Sequence, residues 1–195
     1  MHGGRSRRRK WGRKTPSSFV YLYRGELEDK MRMVCTEGLK VSSGLLTNAA
    51  VSPETRLYFC KVKGDLYRYM AEYSSGPQKA KAGSLGRSAY EEADRLKTCV
   101  SAVHPLRLGL ALNFGVFLRD ACQDSNRGWR ITKMALDEAN RGFQMLAELD
   151  SNDYRESNGL LMNLRRNLMR WNTTDLDMES QENPAGGGNQ TPTRR

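Results

Sequence analysis

The chain has 195 residues, 38% of them hydrophobic and only six of them proline, which suffices for one domain with a sizeable core and long uninterrupted helices. No run of 18 apolar residues occurs, which excludes a membrane-spanning helix, and the arginine-rich start has no apolar stretch behind it, so it is not a secretory signal. The net charge of +10 is unevenly placed: residues 1–24 hold eight basic side chains and no acid, leaving +2 for the rest, so any polyanion argument concerns that first stretch alone.

In chain order, residues 1–22 read as a flexible basic arm ending in the linker-like Lys14-Thr15-Pro16-Ser17-Ser18. From Arg24 to Asn48, Leu27, Met31, Val34, Gly38, Val41 and Leu45 recur at steps of four and three and predict one inward stripe on a first helix. Ser52-Pro53-Glu54 opens a second helix with an N-cap, a proline at the first helical position and an acid in the first turn. Its inward stripe is Leu57, Cys60, Gly64, Tyr67 and Ala71, and Ser75-Gly76-Pro77 ends it. A third helix is expected from about Ser84 to Val103, with Leu85, Ala89, Ala93, Leu96 and Val100 inward.

Pro105 starts a fourth helix that is apolar almost all round as far as Leu118, so other helices should flank it on several sides. Ser125 is the expected cap of a fifth, reaching about Glu148. After a turn at Asp150–Asp153, a sixth carries Tyr154, Ser157, Leu161, Leu164, Leu168 and Trp171 on one face. Residues 174–195 have almost no core-forming side chains and read as a disordered tail. No segment has sustained period-two alternation. The expected fold is therefore all-α, an antiparallel stack of about six helices built as hairpins, with the arm at 1–22, the helical domain at 23–173 and the tail at 174–195.

Catalysis and metal binding find no support. Cys35, Cys60, Cys99 and Cys122 form no CxxC pair, His2 and His104 are far apart, and each cysteine sits among apolar helical positions, as buried reduced thiols do. There is no Ser/His/Asp set and no glycine-rich phosphate loop, so neither an enzyme nor a cofactor is expected.

Three groups of polar residues need a reason. Lys61, Asp65, Arg68 and Tyr69 fall at i, i+4, i+7 and i+8 and share one face of the second helix. A guanidinium fork beside a phenol can hold one phosphate, with Asp65 steadying Arg68 at i,i+3; an ordinary salt-bridged surface has the same pattern. Asn113, in the most apolar helix, must find a partner or cost about 1–3 kcal/mol. That partner is either a neighbouring helix or a ligand's backbone, and Asn167 on the sixth helix poses the same choice.

Lys61-Val62-Lys63-Gly64-Asp65-Leu66-Tyr67-Arg68-Tyr69-Met70-Ala71-Glu72 resembles the K-M-K-G-D-Y-x-R-Y-L-A-E helix of the 14-3-3 family. His104-Pro105-Leu106-Arg107-Leu108-Gly109-Leu110-Ala111-Leu112-Asn113-Phe114-Gly115-Val116-Phe117 is similar to that family's H-P-I-R-L-G-L-A-L-N-F-S-V-F signature. Leu136-Asp137-Glu138-Ala139, and Arg165-Arg166-Asn167-Leu168 followed by Trp171, match two later family segments in order. The resemblance covers roughly residues 23–173, corresponding to helices four to nine of a nine-helix fold.

The resemblance implies a phosphoserine/phosphothreonine-peptide-binding adaptor in signal transduction. It implies that Arg68 and Tyr69 contact the phosphate while Lys61 lines the site. Asn113 and Asn167 would bond to the peptide backbone, and Leu112, Val116 and Trp171 would line the groove. Several family features find no match. The helices that build the family's dimer have no counterpart, so a monomer or a weak, altered homo- or heterodimer is expected. The third-helix lysine and arginine that serve the phosphate are matched only by Gly3-Gly4-Arg5 and Trp11 at a different spacing. Gly159, Asn163 and Arg170 stand where the family has leucines.

Losing two charged hydrogen bonds, at about 1.5–3 kcal/mol each, from a micromolar complex of about 8 kcal/mol predicts weakened, near-millimolar phosphate binding. The alternatives are a phosphate-independent structural or competitor protein, or nucleic-acid binding through Arg5 to Lys14. The expected partners are phosphorylated protein segments, with no membrane, and the expected place is the cytoplasm, or the nucleus if the basic arm acts as an address.

Overall fold

Short connections and side-chain caps separate six α-helices among the described residues. The computed structural model describes the backbone of residues 16–142, 144, 147 and 149–182, and side chains within residues 20–172 of that set. In order the helices are α1 (Pro16–Leu46), α2 (Pro53–Glu72), α3 (Gly76–Leu96), α4 (Pro105–Asp120), α5 (Ser125–Arg141) and α6 (Ser151–Glu182), with a 3-10 turn at Lys97–Cys99 after α3. No strand occurs among the described residues. The basic cluster Arg5–Lys14 and the chain beyond Glu182 lie outside them.

The helix starts follow from local chemistry. Ser52 Oγ accepts the Thr55 N–H at 3.1 Å and caps α2. His104 Nδ1 accepts the Leu106 N–H at 3.2 Å, and Pro105 follows at the first position of α4. Asp150 Oδ1 accepts two orphan N–H groups of α6, from Asn152 at 2.8 Å and Asp153 at 2.9 Å. Those two bonds, that from Asp153 foremost, hold its carboxyl below the usual carboxylate range.

α4 is the central rod. It packs against α5 and α6 on one side and α3 and α2 on the other, while α2 also packs against α1. Two apolar clusters result. Leu57, Cys60, Tyr90, Ala93, Leu110, Phe114, Phe117 and Leu118 fill the space between α2, α3 and α4. Val103, Leu108, Leu136, Leu161, Leu164, Leu168 and Trp171 fill that between α4, α5 and α6. The all-round apolarity of α4 thus has the cause expected from sequence: neighbours on several sides. The α4–α5 crossing is close enough that a Cβ on Gly128 would lie 2.7 Å from the Gly115 carbonyl oxygen.

Several local expectations are corrected. α1 starts at Pro16, inside the expected arm, and α6 runs to Glu182, into the expected tail. α3 starts at Gly76, because Ser75-Gly76-Pro77 both ends α2 and opens the next helix: Gly76 takes φ +55° and Pro77 sits in the first turn. Leu85 is consequently exposed and Tyr90 buried. α5 is capped by Asp124, whose Oδ1 accepts the Arg127 N–H at 3.3 Å, and it ends at Arg141 rather than near Glu148.

The inward face of α1 is only in part the predicted one. Cys35 and Ser42 are buried, whereas Leu27, Val34, Val41 and Leu45 are exposed, Val34 by 64%. Finally, the cysteines are not all buried: Cys35 and Cys60 are, Cys122 is half-buried and Cys99 is exposed.

Candidate functional site

Asp65 is the hub of the polar cluster. Its Oδ2 receives Lys61 Nζ at 2.8 Å, and its Oδ1 receives both Tyr90 Oη at 2.5 Å and Asn113 Nδ2 at 2.8 Å. One carboxylate on α2 thereby ties α3 and α4 to it. The approach depends on Gly64, where a Cβ would meet the Tyr90 ring at 2.6 Å. Burial, reinforced by the Asp65 charge, pushes the Tyr90 phenol far above its ordinary value, so it remains a hydrogen-bond donor.

Asp65 does not steady Arg68, contrary to the expected i,i+3 contact. Arg68 Nη1 instead reaches Glu72 at 2.6 Å, one turn further on. The guanidinium lies over the Tyr69 ring at 4.3 Å from its centroid. Burial opposes its charge, but Tyr90, Glu72 and Tyr69 more than offset this and hold it cationic. Its Nε is buried and has no hydrogen-bond partner among the described residues.

Arg68, Leu112, Asn113, Val116 and Asn167 border one hollow of about 260 Å³, together with Asn163, Arg166 and Arg170. Three helices contribute: Arg68 from α2, the Leu112–Val116 turn from α4, and one face of α6. A larger adjoining hollow of about 520 Å³ is bordered by Lys61 and, again, Asn113, with Tyr58, His104, Gly109 and Leu160 among the rest. Asn113 therefore stands at the junction of the two, bonded to Asp65 behind it.

Two expected site residues sit differently. Tyr69 does not border either hollow but underlies Arg68. Trp171 is buried at 7% exposure in the α4–α6 core, with Arg119 over its ring at 5.4 Å, so it supports the wall from behind rather than lining it. Sequence reasoning missed Tyr90. A tyrosine set between Ala89 and Ala93 on an inward stripe needs an acceptor for its hydroxyl, and that was the available signal. It also missed Arg166 as a lining residue.

Such a hollow, with a half-buried cation and two carboxamides around an apolar floor, suits an extended peptide with an anionic side chain. Comparison with known proteins gives the family. A family model described as 14-3-3 protein matches residues 5–172, so the match begins inside the basic arm, well before residue 23. The chain is 35% identical over 173 residues to 14-3-3 protein epsilon of Drosophila melanogaster, covering 87% of this chain and 63% of that protein. It is 36% identical over 171 residues to 14-3-3 protein zeta of Xenopus laevis, covering 86% and 67%. With 14-3-3-like protein GF14 omicron of Arabidopsis thaliana it shares 38% over 159 residues, covering 80% and 60%. The chain thus spans a little under two thirds of the fly and Arabidopsis relatives.

Proposed function

The chain belongs to the 14-3-3 family, and from that premise we propose that it is a non-catalytic adaptor that binds phosphoserine- or phosphothreonine-containing protein segments in the hollow between α2, α4 and α6. The observation that carries this reading is that Arg68, Asn113 and Asn167, from three different helices, border one cavity. In the proposed complex Arg68 takes the phosphoryl group, with Tyr69 beneath it and Lys61 at the adjoining hollow. Asn113 and Asn167 bond to the peptide backbone, against Leu112 and Val116.

Phosphate binding is weakened relative to an adaptor with a full set of basic partners. Arg68 is engaged by Glu72, and a phosphoryl group must compete with that carboxylate. The arginines from Arg5 to Arg13 fall within the family match. Phosphorylated proteins are the proposed partners and the cytoplasm the proposed location; no described helix is long and apolar enough to cross a membrane. Self-association is proposed to be weak and to use the exposed apolar stripe of α1.

The test is a pair of peptides differing only in one phosphate, titrated against the full chain. The phosphorylated peptide should bind at least tenfold tighter. Equal affinities would overturn the reading and favour a phosphate-independent interaction protein, for which the closed Arg68–Glu72 pair is the supporting observation.

A further inference from the structure

The wall of the hollow opposite Arg68 is itself cationic. Asn163, Arg166, Asn167 and Arg170 follow at i, i+3, i+4 and i+7, so one face of α6 presents them together, and all four border the cavity. With Arg68 this makes three arginines, and among the described residues no carboxylate borders the hollow. Arg166 and Arg170 are exposed, whereas Arg68 is largely buried. The two sides therefore offer cations of different kinds: one largely buried, and a pair at the exposed rim, where an incoming anion competes with the contact Arg170 already makes.

We propose that this groove selects peptides carrying two anionic groups, the phosphoresidue at Arg68 and a second one, a carboxylate or a second phosphate, at Arg166 and Arg170. The proposal rests on the phosphopeptide reading above and adds the class of sequence preferred. An apolar side chain entering between Arg166 and Arg170 would desolvate guanidinium groups without pairing them. An acidic one is attracted by both, and Arg presents a planar fork suited to either anion. Arg68 stands on α2 and Arg166 and Arg170 on α6, with α4 packed against both helices, so the two anions are assigned to different residues of the peptide. In an extended peptide, a second group two or three residues on is displaced by roughly 7–10 Å at about 3.3 Å per residue.

The experiment uses the full chain and labelled phosphoserine peptides in which one neutral residue, two to four positions from the phosphoserine, is replaced in turn by glutamate or phosphoserine. At the best position glutamate should tighten binding about fivefold, or ~1 kcal/mol. The second phosphate should do more, and raising the salt should shrink both gains. In a chain carrying Arg166→Gln and Arg170→Leu the ratio between the glutamate-bearing and the neutral phosphopeptide should fall to about one, whatever the variant's affinity for the singly charged phosphopeptide. Arg165→Gln lies on the same helix but outside the cavity, pairing instead with Asn140 at 3.2 Å, and should leave the gain intact. A gain of equal size in the double variant, or none at any position, overturns the proposal. The underlying reading fails separately: if glutamate-bearing peptides without any phosphate show the same Arg166- and Arg170-dependent gain and phosphorylation adds nothing, the cationic wall stands and phosphate recognition falls.

Discussion

Asp65 carries three hydrogen bonds from three side chains, two of them on other helices. Asp65→Ala would leave the Tyr90 hydroxyl buried without an acceptor and release Lys61 and Asn113. An unmet buried donor costs about 1–3 kcal/mol, and chemical unfolding should show a loss of that size. A change under half a kilocalorie would mean that the network holds nothing together. The sequence made Asn113 conspicuous because an amide in an apolar helix needs a partner; it did not reveal that the partner is Asp65, since that contact spans 48 positions and depends on how α2 lies against α4. A sequence displays only near neighbours on one helix, at i,i+3 and i,i+4; of Asp65's two such candidates, Arg68 was expected and Lys61 is the one that pairs. Thiol chemistry gives a second check at this scale. Burial pushes Cys60 up to about 11, which leaves roughly one thiolate per thousand at pH 8. Cys99 is exposed. Alkylation at pH 8 should therefore modify Cys99 first and spare Cys60 in the folded chain. Cys60 labelling should rise with pH toward 11, and equal rates at pH 8 would contradict the burial.

At the scale of elements, α2, α4 and α6 were legible almost residue by residue, because each buries one clear stripe or, for α4, nearly everything. α1 was legible only in part. Met31 and Gly38 of the predicted stripe are half-buried, but the fully buried residues are Cys35 and Ser42 beside it, and Leu27, Val34, Val41 and Leu45 are exposed. Small residues let α2 come close, with Leu66 so near Gly38 that an added Cβ would lie 2.9 Å from its Cδ1. Hydrophobicity alone therefore misplaces the centre of the buried face. Val34→Lys on the exposed stripe should change stability by less than about 0.5 kcal/mol. It should also lower any concentration-dependent association seen by sedimentation; a tight dimer unaffected by it would rule this face out as the contact. The α4–α5 crossing makes the opposite case. Gly128→Ala forces a methyl to 2.7 Å from a backbone oxygen that cannot swing away, so the helices must part, at a cost of roughly 1–3 kcal/mol measurable by unfolding.

For the molecule as a whole, the six-helix stack and the family were readable because the segment from His104 to Phe117 and the helix from Lys61 to Glu72 are long and specific, and both lie within the family match. The groove was half legible. Arg68, Asn113 and Asn167 were singled out as separate puzzles, and the fold gathers them around one hollow. Trp171 packs in the cluster between α4, α5 and α6; a residue that supports a wall and one that lines it share the same helical spacing, so the sequence does not separate the two. The cationic wall was half visible: Arg170 stands where the family has a leucine, whereas Arg166 enters only within the Arg165-Arg166-Asn167-Leu168 match, and the fold brings the two together on one hollow. The account depends on Arg68 being the group that distinguishes a phosphorylated segment from its unmodified twin. The most direct test is the affinity of the full chain and of its Arg68→Ala variant for one phosphopeptide and its unphosphorylated counterpart. The preference for phosphate should disappear in the variant while the unphosphorylated peptide binds both chains alike. A preference that survives Arg68→Ala undiminished would contradict the site.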